Sequence, residues 1–179
     1  MRHAAILLAA PLLMAAAGTT TPSVVKWYAT GLTPPDAHGA PQSLIHVAAH
    51  VAPGWHVYSL TQKPGGPKPL AFELEGAPGF SLGPATGPAA QRAYDAEFGM
   101  ETETYSGFAS FTIPFHRKGG GASGTKNLRL VIRYQACSAK LCLPPLKETL
   151  TIKVNRATAG EPRSGGLMIP VPPRSIRTK

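Results

Sequence analysis

The sequence predicts an all-β fold in which many short strands are joined by turns. The chain of 179 residues contains 19 glycines and 19 prolines, and these lie between short apolar runs. Several of the runs alternate apolar and polar residues, which is the period of a half-buried strand. The sequence has no internal repeat and no long amphipathic helix pattern. About 130 patterned residues can bury an adequate core, so we expect one domain.

The strand patterns follow one another along most of the chain. We expect strands over residues 24–29, 43–51, 55–60, 70–75, 108–115, 127–134 and 148–154. In the second of these, Ile45, Val47, Ala49 and Val51 share one face and are predicted to point inward. His46 and His50 share the other face, and without a third ligand they are predicted to face solvent rather than to bind a metal.

Proline and glycine separate these strands. The segments 63–69 and 76–90 are rich in both residues and are predicted to be connections without strand structure. A Gly-rich turn is expected over residues 117–126.

The beginning of the chain has the pattern of a secretory signal peptide over residues 1–17. Arg2 supplies the positive charge, an apolar run follows, and Ala15–Ala17 offers a cleavage site. No cysteine comes directly after it, so we expect no lipid modification and no stable membrane anchor. Export would place the protein in the periplasm or outside the cell, where disulfides are allowed.

The rest of the chain divides into a domain and a tail. Residues 18–155 are predicted to form the domain, and residues 156–179 a disordered basic tail rich in Gly and Pro. Of the net charge of +9, Arg2 carries +1 and the tail +4, which leaves +4 for the domain. Its basic residues are scattered, whereas nucleic-acid binding needs a clustered basic face. We therefore expect no nucleic-acid partner.

Only two cysteines occur, Cys137 and Cys142. The strand patterns of residues 127–134 and 148–154 flank them, which predicts a hairpin with Cys137 at the end of one strand and Cys142 across from it. Opposite Cβ atoms in such a pair are about 4.5–5.5 Å apart, so modest adjustment closes a disulfide. Two prolines follow shortly and cannot donate ladder hydrogen bonds, so we expect pairing to stop just past Cys142.

The cysteine pair is either a structural staple or a redox centre. A disulfide that closes so short a loop contributes about 2 kcal/mol, against about 3 kcal/mol for a loop of about 15 residues. A staple gains more by bridging distant strands, yet spacing alone leaves both interpretations open. Copper handling through Cys, Met and His is a weaker third interpretation.

Three sequence blocks resemble the same family. They are Tyr134-Gln135-Ala136-Cys137 with Cys142-Leu143-Pro144-Pro145 after four residues, the segment Tyr94–Tyr105, and the segment Gly54–Ser59. In this order, across roughly residues 24–155, they resemble the N-terminal periplasmic domain of DsbD, a protein-disulfide reductase. The resemblance implies an immunoglobulin-like β-sandwich with a cap loop over a redox disulfide hairpin.

The segment Tyr94–Tyr105 is similar to the cap loop of that family, and it contains Asp95, Glu97, Phe98 and Gly99. Phe98 would cover the disulfide and exclude other thiols, because exchange requires a thiolate to reach a sulfur. The carboxylates would raise the pKa of a nearby cysteine. The alternative is a solvated acidic loop with one buried phenylalanine.

Two tyrosines complete the environment that the resemblance implies. In the strand pattern of residues 55–60, His56 and Tyr58 share one face. The resemblance implies that Tyr58 flanks the disulfide, whereas ordinary packing is the alternative. Tyr134 belongs to the block that contains the first cysteine.

The resemblance implies a stand-alone exported thiol–disulfide exchange protein without a cofactor or a metal. Electrons would arrive from a membrane-embedded thiol carrier and pass to oxidised thioredoxin-like periplasmic proteins, cytochrome c maturation being one setting. In the family the second cysteine forms the mixed disulfides, so Cys142 would attack and Cys137 would resolve. The alternative, from another class, is a secreted β-sandwich binding module with a purely structural disulfide.

Overall fold

The computed structural model describes residues 23–34, 42–117 and 126–154. The regular elements of this part of the chain are strands, and it contains no helix long and apolar enough to cross a membrane. The strands are β1 (Val25–Thr33), β2 (Ser43–Val51), β3 (Trp55–Tyr58), β4 (Ala71–Glu75), β5 (Phe80–Leu82), β6 (Gln91–Asp95), β7 (Met100–Tyr105), β8 (Phe108–Arg117), β9 (Lys126–Tyr134), β10 (Ala136–Ser138) and β11 (Leu146–Val154). The predicted signal peptide, the predicted tail and most of the predicted Gly-rich turn lie outside the described residues.

The strands of the described ranges pair antiparallel in three sheets. Sheet A has the order β1-β2-β8-β5, sheet B the order β10-β3-β7-β6, and sheet C the order β11-β9-β4. The predicted inward face of β2 is confirmed, since Ile45, Val47, Ala49 and Val51 are all at most 1% exposed. The alternation of this strand therefore sets which face of sheet A covers the core.

Aromatic side chains fill the core between sheet A and the other two sheets. The Trp27 ring of β1 lies 6.3 Å from Phe72 of β4 and 5.3 Å from Tyr134 of β9, centroid to centroid. Phe111 of β8 lies 5.3 Å from Tyr105 of β7. Sheet A thus forms one layer, and sheets B and C face it from the other side, which is the arrangement of a β-sandwich.

The prediction that residues 76–90 form a connection without strand structure is wrong. This segment contains β5, which pairs with the end of β8, and a further bridge joins Thr86 to Thr112. The Phe80 ring stacks on Phe115 at 5.2 Å. A strand of three residues is too short to show a period, so the burial of Phe80 against β8 determines this element.

The predicted hairpin around the cysteines is present, and it has an additional feature. β9 and β11 pair from Lys126 opposite Val154 to Tyr134 opposite Leu146. Between them the chain leaves sheet C, and β10 pairs with β3 in sheet B. The cysteines therefore lie where the chain passes from one sheet to another.

Candidate functional site

The two cysteines form a disulfide at the edge of sheet B. Cys137 is the central residue of β10 and lies opposite His56 of β3. An isolated antiparallel bridge places Cys142 across from Cys137, with 4.1 Å between their Cα atoms. Cys137 is buried, at 1% exposure, whereas Cys142 is half-buried. A partner that approaches from solvent therefore meets Cys142 first.

Hydrogen bonds hold the loop between the cysteines. The Ser138 amide donates to the Leu141 carbonyl at 2.8 Å, and the Ser138 Oγ accepts from the Leu141 amide at 3.1 Å. Beyond Cys142, the Leu143 amide donates to the Ala136 carbonyl at 2.9 Å. The pairing ends there, before two prolines, as the sequence predicts.

The segment that resembles a cap loop is itself a hairpin of β6 and β7, with the tip at residues 96–99. Gly99 has φ of +64°, a conformation that favours glycine, so it lets the tip turn back into β7. The Asp95 Oδ1 accepts from the Glu97 amide at 3.0 Å, which orders the other side of the tip. Phe98 is half-buried at this tip rather than exposed to solvent.

Tyr58 connects the tip of the cap to sheet B. Its side chain is fully buried, and its hydroxyl donates to the Asp95 Oδ2 at 2.8 Å. The Phe98 ring packs edge-on against the Tyr58 ring at 5.8 Å. Burial, followed by the hydrogen bond and the charge of Asp95, raises the pKa of Tyr58 above its usual value. Tyr58 therefore remains a neutral donor at physiological pH.

His56 is part of this site, although the sequence analysis did not select it. Its ring lies 5.3 Å from the Tyr58 ring at 90°, and its strand position is opposite Cys137. Burial lowers the pKa of His56, and the charge of Asp95 offsets this in part. The alternation of the strand predicts that His56 and Tyr58 share a face. The position of His56 opposite Cys137 follows only from the pairing of β3 with β10, which the sequence does not show.

A second contact fixes the cap hairpin at Met100, the first residue of β7. The connection over residues 63–69 passes so close to it that a Cβ on Gly66 would lie 2.5 Å from the Met100 Sδ. Only a glycine permits this approach without displacing the methionine. The cap hairpin therefore pairs with β3 through β7, contacts Tyr58 at its tip, and lies against this connection at Met100.

The side chains of Tyr134 and Glu103 contact residues outside the tip of the cap hairpin. The Tyr134 ring packs in the core against Trp27, and its hydroxyl donates to Glu148 at 3.0 Å. Glu103 lies on β7, in the same segment as Asp95, and forms an ion pair with Arg92 at 2.7 Å. Hydrogen bonds, first from Thr61, lower the pKa of Glu103. The acidic residues of the segment thus divide between the tip and a separate network.

The described part of the chain contains no cluster of side chains suited to bind a metal ion. No three His, Cys, Asp or Glu side chains there are grouped so that they could hold a metal ion. The ring of His46 lies between two hydroxyl groups, with Nε2 at 2.8 Å from the Thr33 Oγ1 and Nδ1 at 3.4 Å from the Thr112 Oγ1.

Comparison with solved structures relates this architecture to known domains. The N-terminal periplasmic domain of ScsB from Proteus mirabilis has a TM-score of 0.50 and 19% identity, over 74% of this chain and 48% of that one. The reduced DsbD N-terminal domain of Neisseria meningitidis has a TM-score of 0.46 and 21% identity, over 62% and 77%. The complex of the DsbD and PilB N-terminal domains of Neisseria meningitidis has a TM-score of 0.44 and 20% identity, over 61% of this chain and 73% of that one. The likeness to the ScsB domain, together with the antiparallel sheets described above, confirms the immunoglobulin-like fold predicted for the chain.

Comparison at the level of sequence decides the family. No curated protein matches the chain. The profile of one family, described as the N-terminal part of the thiol:disulfide interchange protein DsbD, matches residues 32–154. This match covers more than half of the chain and includes both cysteines and the whole cap hairpin. The chain therefore belongs to the family of DsbD N-terminal domains.

Proposed function

We propose that the protein carries out thiol–disulfide exchange through Cys137 and Cys142 in an extracytoplasmic compartment. The observation that supports this most directly is the arrangement of the disulfide: Cys137 is buried and Cys142 is half-buried, at the edge of the sheet that also contains the cap hairpin. Family membership favours the same role. Residues 1–17 act in this proposal as a cleaved signal peptide, residues 18–155 as the exchange domain, and residues 156–179 as a tail.

Each exchange moves two electrons and needs no cofactor. A donor thiolate attacks the Sγ of Cys142, which forms a mixed disulfide and releases Cys137 as a thiolate. The second thiol of the donor then resolves the mixed disulfide, and the domain is left as a dithiol. In the next step Cys142 attacks the disulfide of an acceptor, and Cys137 attacks Cys142 to release the reduced acceptor.

The partners in this proposal follow from that chemistry. A membrane-embedded thiol carrier acts as the donor, and oxidised thioredoxin-like proteins of the periplasm act as acceptors, cytochrome c maturation being one setting. Cys142 is the more exposed of the two cysteines, so in this proposal both partners react with it.

In the proposal the cap limits access to this sulfur. Phe98 packs on Tyr58, and Tyr58 shares a strand face with His56, the residue opposite Cys137. Gly99 and Glu97 shape the tip, and Asp95 fastens it. In this proposal the closed cap shields the disulfide and slows attack by unspecific thiols, and a docking partner opens it.

Trapping of mixed disulfides tests the proposal. Cys137→Ser leaves Cys142 without a resolving thiol, so it should accumulate a mixed disulfide with oxidised glutathione or an oxidised thioredoxin-like protein. Cys142→Ser is the matched control, and its buried Cys137 should react more slowly. The wild-type reduction potential should lie in the range of about −120 to −270 mV. A potential below about −300 mV, with neither variant trapping a partner, would instead identify a structural disulfide.

A further inference from the structure

One side chain connects three segments around the disulfide. Gln135 lies between the end of β9 and the start of β10. Its Oε1 accepts a hydrogen bond from the Lys68 amide at 2.9 Å, and its Nε2 donates to the Leu143 carbonyl at 3.2 Å. Its own carbonyl accepts from the Tyr58 amide at 3.4 Å. The residue thus joins the connection before β4, the segment after Cys142, and β3.

The hydrogen bond from Gln135 to Leu143 spans the loop that contains the two cysteines. Gln135 is two residues before Cys137, and Leu143 directly follows Cys142. The bond between them therefore closes the cysteine loop from outside, parallel to the disulfide. When the disulfide is reduced, this bond and the backbone bond from Leu143 to Ala136 remain to keep the two ends of the loop together.

We propose that Gln135 is a positioning residue for thiol–disulfide exchange, which holds Cys142 beside Cys137 while the disulfide is open. This inference rests on the exchange proposed above and adds a residue that acts through the loop rather than on the sulfur. Lys68, in the connection over residues 63–69, orients the Gln135 side chain, because its backbone amide donates to the Gln135 Oε1.

The consequence is a change in the thiol–disulfide equilibrium rather than only in stability. In the oxidised protein the disulfide holds the loop whether or not Gln135 is present. In the reduced protein the loss of the glutamine bonds loosens the loop, which the backbone bonds alone then hold, so the dithiol form gains conformational entropy and becomes more favourable. The net free energy of one hydrogen bond corresponds to about a fivefold change in an equilibrium constant.

Gln135→Met tests this, because methionine has a similar length and makes neither side-chain hydrogen bond. The measured quantity is the equilibrium constant for the reaction of the dithiol with oxidised glutathione, which gives the protein disulfide and two molecules of reduced glutathione. We expect this constant to fall about fivefold in the variant. Gln135→Leu repeats the measurement with a different apolar side chain in case the first variant does not fold.

Gln62→Met is the matched control. Gln62 is also a glutamine of this site region, and its Oε1 accepts from the Glu103 amide at 2.9 Å, on β7 and away from the cysteine loop. The control should lower the melting midpoint of the oxidised protein to a similar extent as Gln135→Met. Its glutathione equilibrium constant should equal that of the wild type.

A second readout is the lifetime of the mixed disulfide with glutathione. After reaction at Cys142, the Cys137 thiolate attacks Cys142, forms the internal disulfide and releases glutathione thiolate. If Gln135 positions the loop, this step should be about fivefold slower in Gln135→Met, so mass spectrometry of quenched samples should show more of the mixed species.

The outcomes separate this inference from the proposed function. A lower constant and a longer-lived mixed disulfide in Gln135→Met, with Gln62→Met unchanged, would support it. Equal constants in the wild type and both glutamine variants would overturn it and leave the proposed exchange intact. A wild-type disulfide that remains closed at every ratio of reduced to oxidised glutathione would overturn both.

Discussion

Removal of a single oxygen from Tyr58 should loosen the cap without removing any packing. The Tyr58 hydroxyl donates to the Asp95 carboxylate at 2.8 Å, and this bond joins sheet B to the tip of the cap. A hydrogen bond to a charged group contributes about 1.5–3 kcal/mol. Tyr58→Phe keeps the ring that Phe98 packs against, so the change in the free energy of cap opening is mainly the loss of this bond.

The expected change in the rate of reduction depends on how often the cap is open. If attack on the disulfide requires opening, its rate follows the open fraction. A loss of about 1.5–3 kcal/mol raises the opening constant by about 10- to 100-fold, because about 1.4 kcal/mol is tenfold. The rate of reduction by dithiothreitol, measured by the appearance of free thiols, should therefore rise by about 10- to 100-fold in Tyr58→Phe.

The chain offers a closely matched control in Tyr134→Phe. The Tyr134 hydroxyl also donates to a carboxylate, that of Glu148 at 3.0 Å, and its ring is also buried. Both variants should lose stability to a similar extent, and only Tyr58→Phe should accelerate reduction. A wild-type rate of reduction in Tyr58→Phe would contradict this prediction. Equal acceleration in Tyr134→Phe would contradict it too, because the effect would then come from general destabilisation.

Three further substitutions give distinct outcomes. Phe98→Ala should accelerate reduction by dithiothreitol, and because Phe98 is half-buried, the free energy of unfolding should fall by about 2 kcal/mol or less. A fall of about 3–5 kcal/mol with an unchanged rate of reduction would show instead that Phe98 is an ordinary core residue. Gly66→Ala should also accelerate reduction, because its Cβ would displace Met100, whereas Gly79→Ala, with open space around it, should not. The lowered pKa of His56 means that the unfolded state takes up the proton first as pH falls. Its contribution to stability is therefore full above pH of about 6.5 and is lost below it, so denaturant melts should show a shallower acid slope in His56→Gln; an equal slope would contradict this.

The sequence was sufficient where a pattern is long or a residue type is rare. In β2 every second residue from Ile45 to Val51 is apolar and buried, and the predicted bounds and inward face agree with the structure. Strands β9 and β11 are equally long, and their pairing follows from the short connection. Because Cys137 and Cys142 are the only cysteines, their pairing did not depend on any finer detail.

The sequence was insufficient where an element depends on a distant partner. Strands β5 and β10 have three residues each, which is too few to show a period. The five residues of β6 are mostly exposed, so the cap hairpin carries no alternation that would distinguish it from a loop. In the same way, the approach of Gly66 to Met100 and the pairing of His56 with β10 join residues that are distant in sequence.

The change of sheet at β10 bears on the choice between a staple and a redox centre. A staple stabilises most when it joins parts of the chain that nothing else holds together. Here backbone hydrogen bonds already bridge the loop on both sides of the cysteines, from Ser138 to Leu141 and from Leu143 to Ala136. The ladder of β9 and β11 is complete without the loop, and β10 is paired to β3 independently. The disulfide can therefore open and close within a frame that does not depend on it, which is what repeated exchange requires.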